Sequence, residues 1–180
     1  MLALFFGFGT SAYTFMLAWL SPFYVQQGWS TQASSLLLAG LHIASIAGGL
    51  VTAVFVSRWR DRRFALFIAI GLLIIGILCL MLAPDQLAWV SITLMGVGIG
   101  LIFPLSLIVT LDHAPDPQQA GLLAAFVQGV GYIIGSFMPD IAGLLRDILG
   151  DFRLDWGVML LLILPMFPIA RLFSPESRSI

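Results

Sequence analysis

Six uninterrupted apolar runs dominate this sequence, at about 2–25, 33–56, 64–83, 87–111, 120–145 and 156–173. Each approaches or exceeds the roughly 20 residues that carry an α-helix across a bilayer. Lipid offers no hydrogen bonds, so a spanning segment must satisfy its own backbone, as a helix or within a closed barrel. Barrel strands alternate apolar and polar residues over about ten positions. These runs are continuous and longer, so they read as helices. The expected fold class is an all-α membrane protein with six transmembrane helices, a single bundle over residues 1–180.

Composition excludes the alternatives. The chain is 60% hydrophobic and only 9% charged, with a mean hydropathy of +1.05. A water-soluble domain carries about 25% charged residues and could not hide this much apolar surface. The one cysteine, Cys79, excludes a disulfide framework and a cysteine-based metal cluster. A net charge of -1 gives no nucleic-acid footprint. The lipid bilayer is the expected partner, and no cofactor is expected.

The spans end at polar or helix-breaking residues. Asp116-Pro117-Gln118-Gln119 reads as an acidic N-cap followed by Pro at the first helical position. Ser30 and Asp85 are expected caps of the second and fourth spans. Arg58, Arg60, Arg62 and Arg63 in the second connection, with Arg171 and Arg178 near the C-terminus, lie on one side. Arg146 and Arg153 lie on the other. Positive charge marks the cytoplasmic side, so both termini are expected there, in a multi-pass protein of the bacterial inner membrane. The tryptophans sit near span ends, as interfacial rings do. The first span begins at Leu2 with no basic region before it, so it does not read as a signal peptide. That abrupt start suggests a chain that begins in the middle of a larger membrane protein.

Few polar groups fall inside the spans, and such groups are functional candidates by default. Tyr13 is mid-way along the first span and His42 near the centre of the second. Gln128 and Tyr132 share a face of the fifth, where Asp140 lies nearer the outer end. Trp19, near the end of the first span, completes the candidate substrate-binding set of Tyr13, Trp19, His42, Gln128 and Tyr132. The structural alternatives are a packed Tyr13, a His42 that ties helices together and an Asp140 at the interface. Ser106 and Thr110 are expected to bond carbonyls one turn back. Gly131, Gly135, Pro139 and Gly143, each four apart, make a smooth ridge with a bend at Pro139. That ridge suits either tight packing or a bending helix.

Catalytic patterns are absent. There is no Gly-x-Ser-x-Gly or His-Glu-x-x-His, and the single Glu is Glu176. Asp112, His113 and Asp116 supply too few oxygens for a hard cation.

Three stretches carry a resemblance. They are Ala18-Trp19-Leu20-Ser21-Pro22-Phe23-Tyr24, then Gly100-Leu101-Ile102-Phe103-Pro104-Leu105 with Leu111-Asp112-His113, and Gln128-Gly129-Val130-Gly131-Tyr132 with Pro139, Gly143 and Leu144-Leu145-Arg146-Asp147. The chain resembles the C-terminal half of a major facilitator superfamily transporter, in the cyanate permease and 2-nitroimidazole transporter branch. The superfamily's loop motif, roughly Gly-x-x-x-Asp-Arg-x-Gly-Arg-Arg, departs here. Ser57 replaces the Asp and Arg60 the Gly, leaving Arg58, Arg62 and Arg63. His42 stands where members of the branch carry Gln, and Asp140 where they carry Pro or an apolar residue.

The resemblance implies one six-helix half of a secondary carrier that moves a small, cyanate- or nitroimidazole-like solute by alternating access. The first, second, fourth and fifth spans would line the pathway, and the third and sixth would face lipid. A missing N-terminal six-helix bundle, or a second copy, would complete the cavity. The rival reading is a non-transporting membrane fragment or subunit.

Overall fold

The computed structural model describes residues 1–54, 61–114, 116–150 and 152–173. Among these described residues eight helices follow in order: α1 (Leu2–Gln26), α2 (Thr31–Val54), α3 (Arg63–Leu82), α4 (Ala88–Leu111), α5 (Pro117–Ser136), α6 (Met138–Leu149), α7 (Phe152–Ile163) and α8 (Met166–Arg171). They make six spans long and apolar enough to cross a membrane. The fifth is α5 with α6, and the sixth is α7 with α8.

The two broken spans have proline causes. Pro139 has no N–H to give the Gly135 carbonyl one turn earlier, and the helix breaks at Phe137. The sixth span breaks at Leu164–Pro165 for the same reason. The expected bend in the fifth span is thus a one-residue break at Phe137, whose backbone stays in the right-handed helical region. Asp140 falls in the first turn of α6, exposed. A carboxylate there faces the positive end of the helix dipole, which accounts for an acidic residue within the span.

Capping follows the sequence in part. Asp116 accepts from the Gln118 and Gln119 amides at 3.1 and 3.2 Å, and Ser30 accepts from Ala33 N at 3.2 Å. Asp85 does not cap α4. It accepts from Trp29 Nε1 at 2.8 Å, while Tyr24 donates to Pro84 O at 3.2 Å. The two bonds tie the end of α1 to the turn between α3 and α4.

Packing centres on α1 and α4. The most extensive contacts are α2 on α4, α3 on α4 and α1 on α5. Ser45 shows how close α2 and α4 come: a Cβ on Gly100 would fall on the Ser45 carbonyl oxygen. Only glycine permits that approach. The inner face of α1 buries Phe15 and Phe23 against Trp156 of α7, with ring centroids 4.7 and 5.8 Å apart. Trp156 is thus core rather than interfacial, being fully buried. The glycine ridge of the fifth span lies along α1. Gly131 faces Phe6, Gly135 faces Thr10 and Gly143 faces Trp19.

Candidate functional site

Phe6, Thr10 and Tyr13 recur at helical spacing, which puts them on one face of α1. That face opens onto a cavity of about 410 Å³. Ser45 of α2, the Ile99–Ser106 stretch of α4 and Tyr132 of α5 complete the wall. Among the described residues, α3, α6, α7 and α8 contribute nothing to it.

Four of the lining residues are aromatic: Phe6, Tyr13, Phe103 and Tyr132. Phe6 sits 5.5 Å from Phe103 and edge-to-face with Tyr132 at 5.3 Å. A Cβ on Gly131 would fall on the Phe6 ring, so this glycine leaves the ring its place. The hydroxyls divide into two groups. Thr10 donates to Phe6 O at 2.9 Å and Ser106 to Phe103 O at 2.7 Å, both within their own helices. The hydroxyls of Tyr13, Ser45 and Tyr132 take no protein partner among the described residues. Pro104 also leaves the Gly100 carbonyl without its helical donor, and both residues line the cavity.

Of the sequence-expected residues, Tyr13 and Tyr132 lie on this wall. His42 lies beside it, its ring edge-on to Tyr13 at 6.2 Å. Its Nδ1 is 2.8 Å from Leu38 O, one turn back on its own helix. A carbonyl only accepts, so Nδ1 carries the proton. Gln128 is half-buried, one turn before Tyr132, and is not part of the wall. Trp19 also lies away from it. Its indole donates to Pro139 O at 3.0 Å, and the Arg146 guanidinium stacks over its ring at 5.0 Å. Sequence reasoning passed over Phe6, Thr10, Ser45 and Phe103. For the α1 pair, the spacing to Tyr13 was the available signal.

At the Arg62 end of the bundle, Arg62 Nε lies 3.5 Å from Asp112 Oδ2. The pair joins the start of α3 to the end of α4. Arg63 grips Asp61 with two near-parallel bonds, Nε to Oδ1 at 3.1 Å and Nη2 to Oδ2 at 2.9 Å. Arg58 lies outside the described residues. Among the described residues no cluster of three or more potential ligands could hold a metal ion.

Comparison with known proteins gives a consistent picture. The Major Facilitator Superfamily profile matches residues 1–139. The cyanate transport protein CynX of Escherichia coli is 36% identical over 97% of this chain and 45% of its own length. The 2-nitroimidazole transporter of the same organism is 29% identical over 89% of this chain and 41% of its own length. The chain thus spans less than half the length of these two relatives. No solved structure gives a significant match.

Proposed function

Because the chain belongs to the Major Facilitator Superfamily, we propose that it forms one wall of a carrier for a small solute, working by alternating access. The observation that supports this most is the origin of the cavity wall. Residues of α1, α2, α4 and α5 supply it, and the other spans supply none among the described residues. A carrier binds its solute near mid-membrane, between two bundles that rock about the site. An open, one-sided cavity is the shape that half of such a site would have.

In this reading Tyr13 and Tyr132 touch the solute, and His42 packs edge-on against the Tyr13 ring. The relatives carry names that refer to cyanate and 2-nitroimidazole, so the solute is a small molecule of that scale. The other wall comes from an N-terminal six-helix bundle or a second copy of this chain. The bundle sits in the bacterial inner membrane with its Arg62 end cytoplasmic, and it carries no catalytic machinery.

Uptake of labelled cyanate and 2-nitroimidazole tests the proposal, in cells expressing the chain with and without an N-terminal bundle. Uptake above that of empty cells is expected when both halves are present. Uptake equal to empty cells in both cases would sink it.

A further inference from the structure

We propose that His42 is a proton-binding site coupled to the cavity, so that an anionic solute crosses together with one proton. The inference rests on the reading of the cavity as the solute site and names the ion that travels with the solute.

His42 sits at the middle of α2 and is half-buried. Histidine is the side chain that ordinarily changes charge between pH 5 and 8. Its surroundings hold no rival. α2 packs chiefly on α4 and α1. Between Ala88 and Leu111, α4 has no titratable side chain, and His42 is the only one on α2. On α1 they are Tyr13 and Tyr24. Tyr24 donates to Pro84 O near the end of α1. That leaves Tyr13 facing the imidazole, with ring centroids 6.2 Å apart.

The ring offers one nitrogen to a further proton. Nδ1 carries the proton directed at Leu38 O, 2.8 Å away. Nε2 is then the unprotonated nitrogen, and it has no protein partner among the described residues. A proton taken up there keeps the Nδ1 bond and makes it charge-assisted. Two neighbours connect His42 to the cavity. Tyr13 lines it, and so does Ser45, three residues on along α2 and therefore on the same side of the helix.

A lone cation at mid-membrane is costly, and so is an anion stripped of its hydration. Each lowers the cost of the other. The cavity wall has no charged side chain among the described residues, so a protonated His42 is the positive charge that this chain offers beside it. Proton and anion together carry no net charge, so their passage does no work against the membrane potential, whereas an anion entering alone would. The proton binds with the anion from one side and leaves with it to the other, which returns the neutral imidazole.

The test uses the full chain, purified in detergent, with cyanate as the anionic probe. Its affinity by calorimetry is expected to weaken at least about fivefold from about pH 6 to about pH 8, with about one proton taken up per anion bound. His42→Gln is expected to bind cyanate weakly, with no pH dependence and no proton uptake. His113→Gln removes the histidine beyond the end of α4, beside Phe173, and is expected to keep both. In that variant His42 is the only histidine, so its ring signal in an NMR spectrum is read directly. Cyanate should move that signal toward the imidazolium position. Cyanate bound without proton uptake, pH dependence that persists in His42→Gln, or an unmoved imidazole signal would each overturn the proton site and leave the cavity as a solute site. Binding of 2-nitroimidazole without cyanate would do the same. Binding of neither would overturn the cavity reading, and this inference with it.

Discussion

The Thr14 hydroxyl lies 2.8 Å from the carbonyl oxygen of Gly135, on the neighbouring helix. That carbonyl is the one that Pro139, four residues on, cannot serve. Beside the Phe137 amide, that carbonyl is thus served from α1 by a side chain 121 positions away in sequence. Thr14→Val keeps the shape and removes the donor. It should cost about 1 kcal/mol, the usual scale for a hydrogen bond between membrane helices. Pro139→Ala restores the missing N–H, so Thr14→Val should cost measurably less in that background. Thermal unfolding of the four proteins in detergent gives the coupling.

Trp19 docks the next turn of the same span, through its bond to Pro139 O and its stacking under Arg146. Trp19→Phe keeps the ring but loses the N–H. Stability should fall by about 1 kcal/mol. Melting curves of the variant and the parent in detergent check this.

Two glycines should respond in opposite ways to the same change. Gly100→Ala forces a Cβ onto the Ser45 carbonyl oxygen, and such overpacking costs about 1–3 kcal/mol. Gly71 of α3 has nothing within 4 Å of an added Cβ. Gly71→Ala should therefore be neutral or slightly stabilising. Comparing the detergent melting temperatures of the two variants decides this.

The Arg62–Asp112 pair is largely shielded, with side chains 11% and 25% exposed. Asp112→Ala should destabilise the bundle by about 1 kcal/mol, because it removes a carboxylate from beside a partly buried guanidinium. Adding Arg62→Ala should cost little more. Additive losses in a double-mutant cycle would mean that the pair does not couple α3 to α4.

The six spans were legible because lipid demands long apolar helices, and the helix ends at Ser30 and Asp116 were legible from capping chemistry. The bend at Pro139 was legible too, but the interruption at Leu164–Pro165 was not, since Gly and Pro are ordinary in membrane helices. Asp140 was left between a candidate site and the interface, because the helix start at Met138 that places it in a first turn was not legible. The bond from Trp19 to the Pro139 carbonyl was not legible, because its partner is 120 residues away. Within the cavity, Tyr13 and Tyr132 stood out by their hydroxyls. Phe6 and Phe103 did not, because a phenylalanine on a cavity wall and one facing lipid are identical in sequence.

Labelling by a water-soluble maleimide tests most directly whether the wall of α1, α2, α4 and α5 borders an aqueous solute site. Cys79, the only cysteine, is replaced by Ala, and single cysteines are placed at Ser45, Phe103 and Ile75. Ile75 is 52% exposed on α3, outside the cavity. In native membranes, Ser45→Cys and Phe103→Cys should label and be protected by solute, while Ile75→Cys stays unlabelled in lipid. Labelling at Ile75 equal to that at the two cavity positions, or no labelling at either cavity position, would contradict the account.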